Sequence, residues 1–246
     1  MLIMAVGAGC CSIRPTPLVV TKSENDKLVE IVEGINDSTV ALVMGPTGEK
    51  LPYCAGVWID KQHILTAGHC VHSIAREHDS ETEDESEDSV GTIVSFINHG
   101  DLVDGEIPDE TFSSAVVKKL DKRLDLALLE NIGATSKHSF VNISRKDARV
   151  GENTHIVGHP VGIFWTYTRG VVASVRKMYG PEIVPNAEKV KIIQMSAPVW
   201  AGNSGGGAFS SDGELIGICS FITLKAPNIG FFIHKDEIKD FIAPFK

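Results

Sequence analysis

From Ser38 to His234 the chain repeats one pattern: short runs of β-branched, aromatic and aliphatic residues, cut off by Gly, Pro, Asn or Asp. STVALVM, CAGVWID, HILTA, GTIVSFI, SAVVKKL and DLALLE come first; THIVGHP, FWTYTRGVVASV, KVKIIQMS, GGAFSS, ELIGICSFITL and IGFFIH follow. Runs this short, with this punctuation, form strands joined by turns, so the chain is predicted to be all-β, a sandwich or a barrel. Residues 133–150 are more polar and poor in such runs, which predicts a crossing between two halves. Helix signals lie at the two edges. Ser23 to Gly34 places Leu28, Ile31 and Val32 at helical spacing behind a Ser or Asn cap, and Lys235 to Phe241 opens a short C-terminal helix with Ile238, Phe241 and Ile242 on one side.

A chain of 246 residues can bury a substantial core, and 43% hydrophobic with 22% charged residues is globular composition. No uncharged run is apolar enough to span a bilayer; the longest, Ile192 to Ser211, holds Pro198, Asn203 and four glycines. The net charge is −9, and eight of those nine charges sit in residues 77–88 (EHDSETEDESED). The remainder carries no basic stripe, so nucleic acid is not expected as a partner. Residues 77–88 read as a solvated, self-repelling loop, with calcium binding the competing use of the carboxylates.

Five cysteines, at 10, 11, 54, 70 and 219, include no C-x-x-C pair, against a zinc ribbon or a thioredoxin-type site. Cys219 is flanked by apolar residues and is expected to be a buried free thiol. Residues 1–22 open on an uncharged MLIMAVGAGCC and continue through Pro15 and Pro17. They read as an export-signal remnant and tether, with an untargeted N-terminus as the alternative. After export, Cys10 would be the candidate for a lipid anchor. His155 and His159 have the spacing of helical zinc ligands, but no glutamate accompanies them, and Gly158 and Pro160 oppose a helix; no metal is expected.

Three strings carry chemistry: Leu65-Thr66-Ala67-Gly68-His69-Cys70 after a strand, Leu124-Asp125-Leu126-Ala127-Leu128-Leu129 entering one, and Gly202-Asn203-Ser204-Gly205-Gly206 in a glycine-rich turn. A serine hydroxyl is a poor nucleophile until an imidazole takes its proton, and the imidazole needs a buried carboxylate to fix its tautomer. Asp125 is favoured over Asp121 for that carboxylate. Asp121 lies between lysines in a solvated stretch, whereas Asp125 opens the apolar run LALL. The glycines around Ser204 permit a tight turn that aims the N–H groups of Gly202 and Ser204 at one point, an oxyanion hole.

In the order His, Asp, Ser, these strings resemble the trypsin/chymotrypsin-fold serine proteases over roughly residues 36–242. Val157-Gly158-His159-Pro160-Val161-Gly162, Arg169-Gly170-Val171-Val172 and Gly230-Phe231-Phe232-Ile233 are similar to the HtrA/Deg branch. The resemblance implies two antiparallel β-barrels, about 36–132 and 150–234, with a cleft between them and a C-terminal helix at about 235–243. Residues 23–246 would form the protease domain. It also implies a disulfide between Cys54 and Cys70, hence an oxidising, exported location such as periplasm, cell envelope or exterior.

The implied function is serine endopeptidase action on peptide or protein substrates by His69, Asp125 and Ser204, without a cofactor. Asn203, where zymogen-type members carry Asp, implies activation without N-terminal cleavage. Pro198 and Val199 would form the base of the primary pocket, with Ser220, Phe221 and Ile222 on the substrate-pairing strand and Gly230 on the opposite wall. Ser220 would also bond Asp125. No charge lines that pocket, so cleavage after small or medium aliphatic residues is expected. The alternative is an inactive protease-fold binding module. A combined protease and chaperone rests on the HtrA likeness alone, and no PDZ module is expected in this chain.

Overall fold

The computed structural model describes residues 23–44, 51–71, 89–104, 106–108, 111–133, 138–179, 188–222 and 228–245. Cys10, the 77–88 segment and the side chain of Ile222 lie outside the described residues.

Strands β1 (Thr39–Val43), β2 (Pro52–Trp58), β3 (His63–Ala67), β4 (Ile93–Asn98), β5 (Ser113–Asp121) and β6 (Leu126–Asn131) close into one antiparallel barrel, in the order β1-β2-β3-β6-β5-β4. Strands β7 (Asn153–Gly158), β8 (Thr166–Met178), β9 (Val190–Ser196), β10 (Gly207–Phe209), β11 (Leu215–Ile222) and β12 (Ile229–His234) close the second, in the order β10-β11-β12-β9-β8-β7. Closure removes free sheet edges, which lets such short strands be stable.

Side-chain alternation explains why several strands read as unbroken apolar runs. In β6, Ala127 and Leu129 face the interior of the first barrel with Val40, Trp58, Ile64 and Phe96. Leu126 and Leu128 face the other way, into a seam shared with Val157, Ile218 and Ile233 of the second barrel. Both faces of the strand are therefore buried from Leu126 to Leu129, and polar residues enter only at its half-buried end, Glu130 and Asn131. The second barrel has its own interior around Ile156, Ile193, Met195 and Phe232.

Helix α1 (Glu24–Asp37) starts at a capping box: Asp26 N–H donates to Ser23 Oγ, and Ser23 N–H to Asp26 Oδ2, each at 3.1 Å. It runs three residues beyond Gly34, where the sequence pattern stops. Ile35 is buried in the seam, and the Ser38 and Thr39 hydroxyls donate to its carbonyl, so packing carries the helix past the glycine. Helix α2 (Lys235–Ile242) buries Ile238, Phe241 and Ile242 in the same seam, capped by His234 Nδ1 accepting Asp236 N–H at 3.1 Å. The polar crossing is stitched to both barrels, Val141 N–H to the Trp58 carbonyl (3.0 Å) and Ser144 N–H to the Leu215 carbonyl (2.9 Å).

Candidate active site

The barrels bring the three chemistry-bearing strings to one place. Strands β3 and β6 pair with Ala67 opposite Leu126, so the turn leaving β3 lies beside the residue entering β6. His69 is on that turn and Asp125 precedes β6. Asp125 is 2% exposed and takes a left-handed backbone, φ +53°, which turns its carboxylate back toward β3. His69 N–H donates to Asp125 Oδ1 at 2.8 Å, and His69 Nδ1 lies 2.9 Å from Oδ2. A ring nitrogen facing a carboxylate carries the proton, which makes Nε2 the unprotonated nitrogen of the neutral ring. Ser220 Oγ donates to Asp125 Oδ2 at 2.5 Å. Ser220 is the extra residue of a bulge, since Cys219 pairs with Phe232 and Phe221 with Phe231. Asp121 is elsewhere: its Oδ1 accepts Leu124 N–H at 2.8 Å and fastens the turn.

Ser204 is held between the barrels. Ala55 N–H donates to its carbonyl at 2.8 Å, and the Cys70 sulfur lies 3.7 Å from the same oxygen. Gly205, at φ +79°, packs so closely on Thr66, Ala55 and Ala67 that a Cβ there would collide with all three. The serine turn is thus seated two residues before His69. The disulfide Cys54–Cys70 ties the histidine turn to β2 across a Cα–Cα distance of 6.1 Å.

The turn itself is fixed by its carbonyls. Val161 N–H donates to Ala201 O at 2.9 Å, and His159 N–H to Gly202 O at 3.3 Å. In a trans peptide the N–H points opposite to the carbonyl, so Gly202 N–H faces away from the 159–165 segment. Among the described residues, neither Gly202 N–H nor Ser204 N–H donates to another backbone carbonyl. Gly202 has φ +99°, and a Cβ would strike the His159 carbonyl. This contribution of 159–165 had no counterpart in the sequence reading, where His159 drew notice for its spacing from His155 and as part of the string Val157 to Gly162, without a role of its own.

The side chains assigned to the substrate pocket are partly assembled. Val199 is buried against Gly230, where an added Cβ would lie 2.6 Å from Val199 Cγ2. Pro198 is exposed. Phe221 stacks on Phe231 with ring centroids 4.6 Å apart, and Ile222 ends β11 opposite Gly230. Cys219, buried beside Asp125, has its thiol pushed up to about 12 by burial and then by that carboxylate, so it stays protonated and inert.

Two groups of metal-ligand side chains occur among the described residues. Cys54, Cys70 and His69 offer no thiolate, because the sulfurs are bonded to each other. Asp147 and Asp236 are engaged by Lys235 and Lys191, and His234 Nδ1 caps α2. His155 and His159 diverge, one to the Tyr167 hydroxyl and the other to the Val40 carbonyl.

A family model described as "Trypsin-like peptidase domain" matches residues 54–218. The chain belongs to that family. Among curated trypsin-like relatives, the putative serine protease HhoA of Synechocystis is 30% identical over 154 residues, 62% of this chain and 36% of that protein. Serine protease HTRA1B of Danio rerio is 34% identical over 140 residues, 56% of this chain and 28% of that protein. The trypsin-like chain thus spans about a third of the length of these HtrA-type relatives. In fold it is similar to the active form of the Rv3671c protease from M. tuberculosis, with a TM-score of 0.67, 21% identity and coverage of 96% and 93% of the two chains. The serine endoprotease of Yersinia pestis gives a TM-score of 0.63 at 19% identity, covering 92% and 67%.

Proposed function

We propose that this protein is a serine endopeptidase acting through His69, Asp125 and Ser204. The observation that carries the reading is His69 Nδ1 at 2.9 Å from the buried Asp125 carboxylate, on a turn packed against the backbone of Ser204. Nε2 of His69 takes the Ser204 proton as Oγ attacks the scissile carbonyl, and the N–H groups of Gly202 and Ser204 hold the oxyanion. His69 then delivers the proton to the leaving amine. Water, activated by the same imidazole, hydrolyses the acyl-enzyme. Asp125 keeps the imidazole in the required tautomer and balances the imidazolium, while Ser220 and His69 N–H satisfy its remaining lone pairs. No cofactor enters these steps.

Val199 packed on Gly230 supports a shallow, uncharged primary pocket, and with it cleavage after small or medium aliphatic residues such as Val, Ala, Ile or Leu. The disulfide supports residence in an oxidising compartment. A fluorophosphonate probe and a peptide library test the reading together. Labelling of the native protein but not of Ser204→Ala is expected, with cleavage after aliphatic residues. A folded native protein that neither labels nor cleaves would overturn the enzyme reading; cleavage after Arg, Lys, Glu or Phe would overturn the pocket alone.

A further inference from the structure

His159 is fully buried, yet the mechanism above gives its side chain no task. Both ring nitrogens are committed. Trp165 N–H donates to Nδ1 at 3.0 Å, so the proton is on Nε2, which donates to the Val40 carbonyl of β1 at 3.1 Å. The first bond closes residues 159–165 into a compact strap; the second ties that strap, which belongs to the second barrel, to a strand of the first. Trp165 repeats the crossing through Nε1–H to the Thr39 carbonyl at 3.1 Å. Phe164 and Trp165 stand edge-on to the imidazole, and the His99 ring packs in turn on Trp165.

The strap's backbone is unusual. Val161 and Trp165 have φ of +47° and +42°, left-handed values that a β-branched or bulky residue adopts only where its surroundings impose them. What the strap delivers is two N–H groups, those of His159 and Val161, onto the carbonyls of Gly202 and Ala201. Those two bonds orient the peptides on either side of Gly202.

We infer that His159 is a positioning residue for the oxyanion hole: its imidazole shapes the strap and anchors it to β1, so that the strap aims the Gly202 N–H into the cleft. The inference rests on the endopeptidase reading for its consequence but not for its geometry. Without the imidazole acceptor, the Trp165 N–H loses its partner, the strap loses its left-handed turns, and the Ala201–Gly202 peptide is free to rotate.

The test uses the full chain with three substitutions and two readouts. In His159→Ala, kcat on a peptide ester or amide is expected to fall about 100-fold, the scale of one lost oxyanion donor, with KM within about threefold. His159→Asn keeps an acceptor near the Nδ1 position and should recover most of kcat, whereas His159→Leu, which fills the volume without an acceptor, should not. The second readout is amide hydrogen exchange, which needs no activity. In His159→Ala, exchange should quicken across 200–204 as well as 159–165, with residues 66–70 unchanged. A His159→Ala protein with native kcat, a His159→Asn no better than His159→Leu, or faster exchange confined to 159–165 would overturn the inference. A native protein that does not label would overturn the endopeptidase reading instead, and the exchange experiment would still decide the positioning role.

Discussion

At the scale of single residues, the site depends on buried polar groups whose partners are all supplied. Asp125 is the centre of one such arrangement, with His69 on two sides and Ser220 on a third. His159 is the centre of another, and its environment sets a pH dependence. Burial drives its ring down to about 4, against 6.5 in an unfolded chain, although the Val40 carbonyl opposes the shift. The folded protein therefore resists protonation that the unfolded chain accepts, and stability falls as pH drops from about 6.5 to about 4, levelling off below. The loss approaches about 3 kcal/mol for this one group. His234, lowered likewise to about 4 chiefly by burial, adds to it. Urea unfolding at stepped pH should show that slope in the native protein and a shallower one in His159→Asn; equal slopes would mean that His159 is protonated without cost. The sequence displayed the His69, Asp125 and Ser204 strings because each has a distinctive local context. It did not display His159's role, because the partners are backbone atoms, one of them 119 residues away.

At the scale of elements, what was legible follows from periodicity and what was hidden follows from packing. Twelve strand runs were readable because closed barrels need short, turn-bounded segments, and β6 showed as LALL because both of its faces are buried. The end of α1 was not readable, since Gly34 is a local stop signal that burial of Ile35 overrides. The bulge that turns Ser220 toward Asp125 was also invisible, because bulges are set by the partner strand. The covalent element here is the Cys54–Cys70 bond. Opening it releases a loop of about 15 residues, and replacing both cysteines with alanine should cost about 3 kcal/mol on the chain-entropy account. Because His69 is next to Cys70, catalysis should suffer beyond the loss of stability. At a temperature where the variant is fully folded, kcat should remain below the native value, and an unchanged kcat would limit the bond to a stabilising role.

At the scale of the whole molecule, the seam between the barrels is a third core, and both terminal helices enter it. Ile35 of α1 and Ile238, Phe241 and Ile242 of α2 share that cluster with Leu126, Leu128, Val157 and Ile218. Lys119 of β5 reaches across to α2, donating to the Phe241 carbonyl at 2.7 Å with its ammonium 4.5 Å from the Phe241 ring. Phe241→Ala should therefore cost about 3–5 kcal/mol and still unfold in one transition, with activity lost at the same denaturant concentration as tertiary structure. Two separated transitions would show that the barrels stand independently. The cross-bracing also orders events during synthesis. The serine turn is made after its histidine and aspartate, the Ser220 strand later still, and α2 follows every strand. A growing chain therefore carries His69, Asp125 and Ser204 before α2, whose Ile238, Phe241 and Ile242 complete the seam, is available to dock.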